Sequence, residues 1–220
     1  MLTRALLVDD HPMFREGLAL LLAHEFPQWQ LLQAGSLEQA AARLAETPDI
    51  GLVILDLSLP DSTGLATLTR LRLRAPAPRY VVLSANDDPE LVVGAVEQGA
   101  AGFVPKSSQT GAMLGAMRTV LDGGVVLPAP LGAASTAPAR SATEALGVSP
   151  RQSEVLRLLI EGKTNKAISR ELGIAESTVK THLETLYRKL DATSRTQAVV
   201  AAARLGLRLD GAERSDGTEP

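Results

Sequence analysis

The stretch GLVILDLSLPDSTG, residues 51–64, runs apolar from Leu52 to Leu55, stops on the carboxylate of Asp56 and then turns through Pro60, Asp61, Ser62 and Gly64. A short continuous apolar run closed by turn residues is the pattern of a strand buried on both faces, as in a parallel sheet. Ending such a strand on a charge is unfavourable unless a partner or a chemical role holds the charge there. Outward from it, further strand candidates appear at Ala5–Val8, Trp29–Gln33, Tyr80–Leu83 and Gly102–Val104. Between them lie segments with helical spacing, such as Phe14, Leu18, Leu21 and Leu22, or Val92, Val93 and Val96 before the stop at Gly99. This alternation predicts repeated βα units, five strands and five helices, around a parallel sheet.

The chain has 220 residues, 45% hydrophobic and 21% charged, which suits one large or two ordinary globular domains. No apolar run approaches the roughly 18 residues of a membrane helix, and the N-terminus MLTRALLVDD meets two acids before a signal core could form. The expected location is the cytoplasm, with no membrane partner. The absence of cysteine excludes disulfides, zinc ribbons and thiol nucleophiles, and His11, His24 and His182 are too scattered to suggest a metal cage.

Net charge divides unevenly. Residues 1–146 carry ten Lys and Arg against fifteen Asp and Glu, a net −5, while residues 147–209 carry eleven against six, a net +5. The tail from Asp210 is acidic again, with one against four. An acidic domain joined to a basic one suggests that the second meets a polyanion. Between Asp122 and Leu146 the sequence DGGVVLPAPLGAASTAPARSATEAL has linker composition. The expected division is therefore residues 1–121, a linker over 122–145, a second domain over 146–209 and an acidic disordered tail over 210–220.

The second domain reads as short helices. Ser149 and Pro150 start one that carries Val155, Leu156, Leu159 and Ile160 on one face and stops at Gly162; Thr164 caps a second, running through Leu172 to a turn at Gly173. A third, from about Glu176, places Val179, Leu183, Leu186 and Leu190 on one stripe, and a fourth groups Ala198, Val199, Ala202 and Leu205. Two helices about a Gly-containing turn make a helix-turn-helix.

In an open parallel sheet the functional crevice lies at the C-terminal strand ends. Asp9 and Asp10 follow the first strand, Asp56 the third, Ser84 the fourth, and Lys106 the fifth. If these strands are neighbours, three carboxylates, a hydroxyl and an ammonium converge. A hard dication with oxygen ligands, Mg²⁺, relieves the charge repulsion. A carboxylate beside it can attack phosphorus and become an aspartyl phosphate, with Lys106 and Ser84 stabilising the transferring group. Each residue alone has an ordinary reading as a cap, a solvated loop or surface. Their joint spacing on four strand ends favours the site.

The motifs LLVDDH, LVILDLSLPDSTG, VVLSA and GAAGFVPK resemble the receiver domain of two-component response regulators, over residues 1 to about 121. The resemblance implies a doubly wound α/β fold, flavodoxin-like with strand order 2-1-3-4-5. It implies Asp56 as the phosphoacceptor, with Asp9, Asp10, Asp56 and the backbone carbonyl of Ser58 as Mg²⁺ ligands. Ser84 and Lys106 stand at the positions of the switch hydroxyl and the lysine, and Phe103 at that of the switch aromatic.

The segment from Leu146 to Leu207 resembles the LuxR-type helix-turn-helix of the NarL/FixJ response regulators through EVLRLLIEGKTNKAI, STVKTHLETLYRKL and SRTQAV. Because Val179, Leu183, Leu186 and Leu190 must face inward, Lys180, Thr181, Glu184 and Arg188 project outward. The resemblance implies that Lys180, Thr181 and Glu184 face base edges, while Thr164, Asn165, Lys166, Thr178 and Arg195 anchor the DNA backbone. Glu184 would either accept from a cytosine amino group or pair with a neighbour such as Arg188. The fourth helix completes a small all-α domain and, by the resemblance, also serves as a dimer contact.

Together these readings predict a transcription factor and not an enzyme: a histidine kinase donates phosphate to Asp56, and the protein binds double-stranded promoter DNA as a homodimer when phosphorylated, with RNA polymerase as a further possible partner. A phosphatase with an aspartyl intermediate is the enzymatic rival, but such hydrolases place a second Asp two residues after the nucleophile, where this chain has Ser58. An unphosphorylated docking module is the other rival, and the intact acidic site speaks against it.

Overall fold

The computed structural model describes residues 3–128 and 146–205. Five parallel strands form one sheet: β1 (Thr3–Val8), β2 (Trp29–Ala34), β3 (Ile50–Asp56), β4 (Arg79–Ser84) and β5 (Gly102–Pro105), in the order β2-β1-β3-β4-β5. Five helices connect and cover them: α1 (Pro12–Glu25), α2 (Leu37–Glu46), α3 (Leu65–Arg74), α4 (Pro89–Glu97) and α5 (Thr110–Leu121). Alternation along the strands sends Leu6, Val8, Val53, Leu55, Tyr80, Val82 and Phe103 to one face, with residues of α2, α3 and α4. Ala5, Leu7, Leu52, Ile54, Val81, Leu83 and Val104 go to the other, with α1 and α5. Burial on both faces is why these strands read as unbroken apolar runs.

Among the described residues the C-terminal domain has four helices, α6 (Pro150–Ile160), α7 (Asn165–Leu172), α8 (Glu176–Lys189) and α9 (Arg195–Arg204). Local chemistry sets their ends. Ser149 and Gln152 form a reciprocal capping box on α6, and Thr164 accepts from the Ala167 N–H at the start of α7. Gly173 (φ 64°) supplies the left-handed residue that turns α7 into α8. Val155, Leu159, Ile168, Val179, Leu183 and Leu186 meet in the core.

Several expectations shift. Asp56 is the last residue of β3 and not the first after it, paired with Leu83 of β4. Leu21 is 43% exposed, because Phe14, Leu18 and Leu22 already fill the inward face of α1. Leu205 falls just past α9 and is exposed. A two-strand hairpin, Ser58–Leu59 with Ser62–Thr63, follows β3. Of the expected linker, Val125, Val126 and Leu127 pack into the domain cores, and residues 129–145 and the tail over 210–220 lie outside the described residues. The domains also touch through α4 and α9: Arg204 pairs with Glu97 at 2.9 Å, and Gln197 Nε2 donates to the Glu97 carbonyl at 3.4 Å. Val200, on the same face of α9, is buried.

Candidate functional site

The sheet brings the C-terminal ends of β1, β3, β4 and β5 together, and the acids with them. Asp9 and Asp56 are buried, which a carboxylate tolerates when it is paired and hydrogen-bonded. Both conditions hold. The Lys106 ammonium lies 2.7 Å from Asp9 Oδ2 and 2.7 Å from Asp56 Oδ2, bridging the two. The Ser58 N–H donates to Asp56 Oδ1 at 3.0 Å, and the His11 N–H to Asp9 Oδ1 at 2.8 Å. Burial alone would lower the Lys106 ammonium, but hydrogen bonds and charge attraction from Asp56 and Asp9 outweigh it and hold the group above its ordinary value. The Phe14 ring sits 4.8 Å from the Lys106 nitrogen, so one side of the ammonium is shielded by an aromatic face.

Ser84 is buried at the end of β4, next to the residue opposite Asp56, and its Oγ accepts from the Asn86 N–H at 3.1 Å. The Lys106 N–H donates to the Ser84 carbonyl at 2.7 Å, tying the segment after β5 to β4. Asp9, Asp10, His11 and Asp56 each present a ligand atom, all within 4.8 Å of one another. Hard carboxylate oxygens at this spacing fit Mg²⁺. Phe103 is fully buried among the core residues on the α3 and α4 side, so its side chain serves packing in this state.

Arg15 and Asp61 were not singled out in the sequence, and His11, set aside there as too scattered from the other histidines for a metal cage, stands among the acids. His11 Nδ1 approaches Asp10 Oδ1 to 2.6 Å and Asp9 Oδ1 to 3.3 Å. Arg15 donates to the Asp9 carbonyl at 2.5 Å. Asp61 accepts from the Leu37 and Glu38 N–H groups at 2.8 and 3.0 Å, fastening the hairpin after β3 to the start of α2. Burial alone would raise the Asp61 carboxyl, but those backbone hydrogen bonds hold it below its ordinary value. His11 adjoins the acid pair in the sequence and could have been found by that adjacency; Asp61 caps a helix 24 residues away, which no local pattern announces.

In the C-terminal domain α8 buries Val179, Leu183 and Leu186 and leaves Thr178, Lys180, Thr181, Glu184 and Arg188 exposed. Lys166 is exposed on α7. The other expected anchors are engaged within the protein. Thr164 Oγ1 caps α7; Arg195 donates to Asn165 Oδ1 at 2.9 Å and to the Lys163 carbonyl. Burial lowers the Arg195 guanidinium from its ordinary value. Glu184 makes no ion pair with Arg188 among the described residues. No helix among the described residues is long and apolar enough to cross a membrane.

Comparison with known proteins agrees with both halves. Residues 5–118 match the response regulator receiver domain, and residues 147–202 match the bacterial regulatory proteins of the luxR family. The chain is 34% identical over 208 residues to a glycerol metabolism activator of Pseudomonas putida, covering 90% of this chain and 94% of that one. It is 36% identical over 200 residues to the nitrate/nitrite response regulator NarL of Escherichia coli K12, covering 89% and 92%. A solved LuxR family DNA-binding response regulator from Silicibacter pomeroyi matches 58% of this chain and 98% of its own, at 31% identity and a TM-score of 0.52. The chain belongs to the NarL/FixJ family of two-component response regulators, transcription regulators that join a receiver domain to a LuxR-type DNA-binding domain.

Proposed function

We propose that Asp56 accepts a phosphoryl group from a histidine kinase in the cytoplasm, and that this controls dimeric binding to promoter DNA, where RNA polymerase is the further partner. The observation that carries the reading is the single ammonium of Lys106 held 2.7 Å from both Asp9 and Asp56 at the strand ends. In the reaction an Asp56 carboxylate oxygen bonds to phosphorus as the phosphorus–nitrogen bond of the donor breaks. The nitrogen leaves with the electron pair and takes up a proton, and Asp56 becomes an acyl phosphate. Lys106 follows the negative charge as it moves onto the phosphoryl oxygens, and the Ser84 hydroxyl has a proton to donate to one of them. Asp9, Asp10, Asp56 and the Ser58 carbonyl would hold Mg²⁺, which supplies charge neutralisation of the phosphoryl group when bound.

The domain boundaries follow the same reading: a receiver over 1–121 and a DNA-binding domain over 146–209. Lys180, Thr181 and Glu184 face bases, and Lys166, Thr178 and Arg188 lie where phosphates would pass. Thr164, Asn165 and Arg195 shape the start of α7 and α9 and reach phosphates from there. In this arrangement α4 covers one face of α9 while the outward face of α8 stays exposed. The receiver therefore restrains pairing of DNA-binding domains through α9 more than it masks the reading surface.

Incubation with acetyl phosphate and Mg²⁺ followed by peptide mass spectrometry is expected to place one phosphoryl group on Asp56 and none on the Asp56→Asn variant. Labelling at another residue, or undiminished labelling of the variant, rejects the assignment.

A further inference from the structure

The start of the interdomain segment is built into both domains. After α5, the chain turns at Gly123 (φ 88°), and the Gly124 N–H donates to the Thr119 carbonyl at 2.7 Å. Gly124 also accepts from Arg79 of β4 at 3.3 Å. Val125 then leaves the receiver: it is 5% exposed and belongs to the core of the DNA-binding domain, with Val155, Leu158 and Leu159. Val126 returns to the sheet, bridging Gly102 in parallel and accepting the Phe103 N–H at 2.8 Å. Leu127 packs against the receiver core that contains Phe103 and against the DNA-binding core as well.

The approach is close on both sides. A Cβ on Gly124 would stand 2.7 Å from the Gly162 carbonyl oxygen, and one on Gly162 would stand 2.7 Å from the Val125 carbonyl oxygen. A Cβ on Gly124 would also stand 2.6 Å from Thr119 Cγ2 of α5, so a larger side chain there presses on the receiver itself as well as on the contact between the domains. β5 is the edge strand of the sheet, and an edge with an unpaired N–H is a pairing site for another segment. It also carries Phe103 and leads, within two residues of its end, to Lys106.

We propose that residues 124–127 form a releasable clasp that docks on the edge of β5, joins the Phe103 N–H to Val126, and seats Val125 in the DNA-binding core, so that movement of β5 is passed to the DNA-binding domain through the main chain. The inference rests on the reading that Asp56 is phosphorylated. When Lys106 is drawn to a phosphoryl group, β5 shifts and the clasp opens; by linkage, weakening the clasp eases the phosphorylated state. Two discrete arrangements of one edge are the kind of bistable element through which such coupling runs.

The test is amide hydrogen exchange on the full chain with and without acetyl phosphate and Mg²⁺, with mass spectrometry on the same samples to score Asp56. The Phe103 amide is expected to exchange slowly in the unmodified protein and at least about tenfold faster once Asp56 is labelled, within the range of ordinary allosteric coupling. Val125→Ala, by loss of its buried methyls, and Gly124→Ala, by collision with Thr119 as well as Gly162, are each expected to speed Phe103 exchange and raise DNA binding without a phosphodonor. Because Val125→Ala introduces no clash, it serves if Gly124→Ala fails to fold. Labelled Asp56 with unchanged Phe103 exchange overturns the clasp alone. A Val125→Ala protein as closed and as weakly binding as wild type also overturns it. Absence of labelling overturns instead the phosphorylation reading beneath it.

Discussion

The two ends of this molecule handle charge in opposite ways. At the strand ends of the receiver, Asp9, Asp56 and Lys106 are withdrawn from water and joined at 2.7 Å. On α8, Lys180, Glu184 and Arg188 stand in solvent. A buried charge must be positioned by the fold in advance, so its geometry is present before any ligand arrives. An exposed charge costs little to leave unpaired, and on the proposed reading DNA supplies the partner of Lys180 and Arg188. On that reading the first surface is arranged for chemistry in the free protein, whereas the second is completed on DNA.

The contrast breaks most visibly at Lys106. Lys106→Met is expected to slow phosphorylation of Asp56 by about 10²–10³-fold, the usual cost of removing one preorganised donor to a developing charge. Initial rates with acetyl phosphate, read by mass spectrometry, check this. A rate near wild type would reduce Lys106 to a structural counter-ion.

The two faces of α8 sharpen the comparison next. Leu186→Ala is expected to destabilise the DNA-binding domain by about 2–5 kcal/mol, because Leu186 is fully buried. Lys180→Ala should leave thermal unfolding unchanged and weaken binding by about 1–3 kcal/mol at a cognate duplex alone. Equal weakening on a scrambled duplex would make Lys180 a phosphate anchor, leaving sequence reading to Thr181 and Glu184. Lys166→Ala should weaken all duplexes alike and lower the slope of log K against log salt by about 1 per half-site.

How much of this the sequence disclosed follows the same division. The placement of Asp9, Asp10, Asp56, Ser84 and Lys106 at strand ends was legible from periodicity, whereas the strand order that brings those ends together came from the resemblance to receiver domains. The inward stripe of α8 was legible for the equivalent helical reason. Hidden from the sequence were contacts between segments far apart in the chain. Asp61 caps α2, Arg195 reaches back to Asn165 and Lys163, and Val125 enters the core of the other domain. Gly123, Gly124 and Pro128 give residues 122–128 the composition of a linker, yet two of its valines and Leu127 pack. Composition reports propensity and not the partner a segment finds.

The smallest effect expected is on alkaline stability. The Lys106 ammonium is raised in the folded state, so its contribution is complete below its unfolded pKa of about 10.4 and is lost as pH rises through the folded value. Tyr80 acts in the same direction, since burial raises its hydroxyl to about 12 while the unfolded chain ionises near 10. Denaturant unfolding between pH 9 and 11, in ~0.5-unit steps, should show a decline that is shallower in both Lys106→Met and Tyr80→Phe. An identical slope in Lys106→Met would mean that the pair with Asp9 and Asp56 adds nothing to the titration.

The central claim, that phosphate on Asp56 governs dimeric binding to DNA, is tested most directly on a duplex selected from randomised sequence. Binding and stoichiometry would be followed by anisotropy and sedimentation, for wild type and Asp56→Asn, with and without acetyl phosphate and Mg²⁺. The expected result is tighter binding by about tenfold or more for wild type, with two chains per duplex, and no response from Asp56→Asn. An Asp56→Asn protein that responds as wild type does, or a wild-type dimer that binds equally well without the phosphodonor, would contradict it.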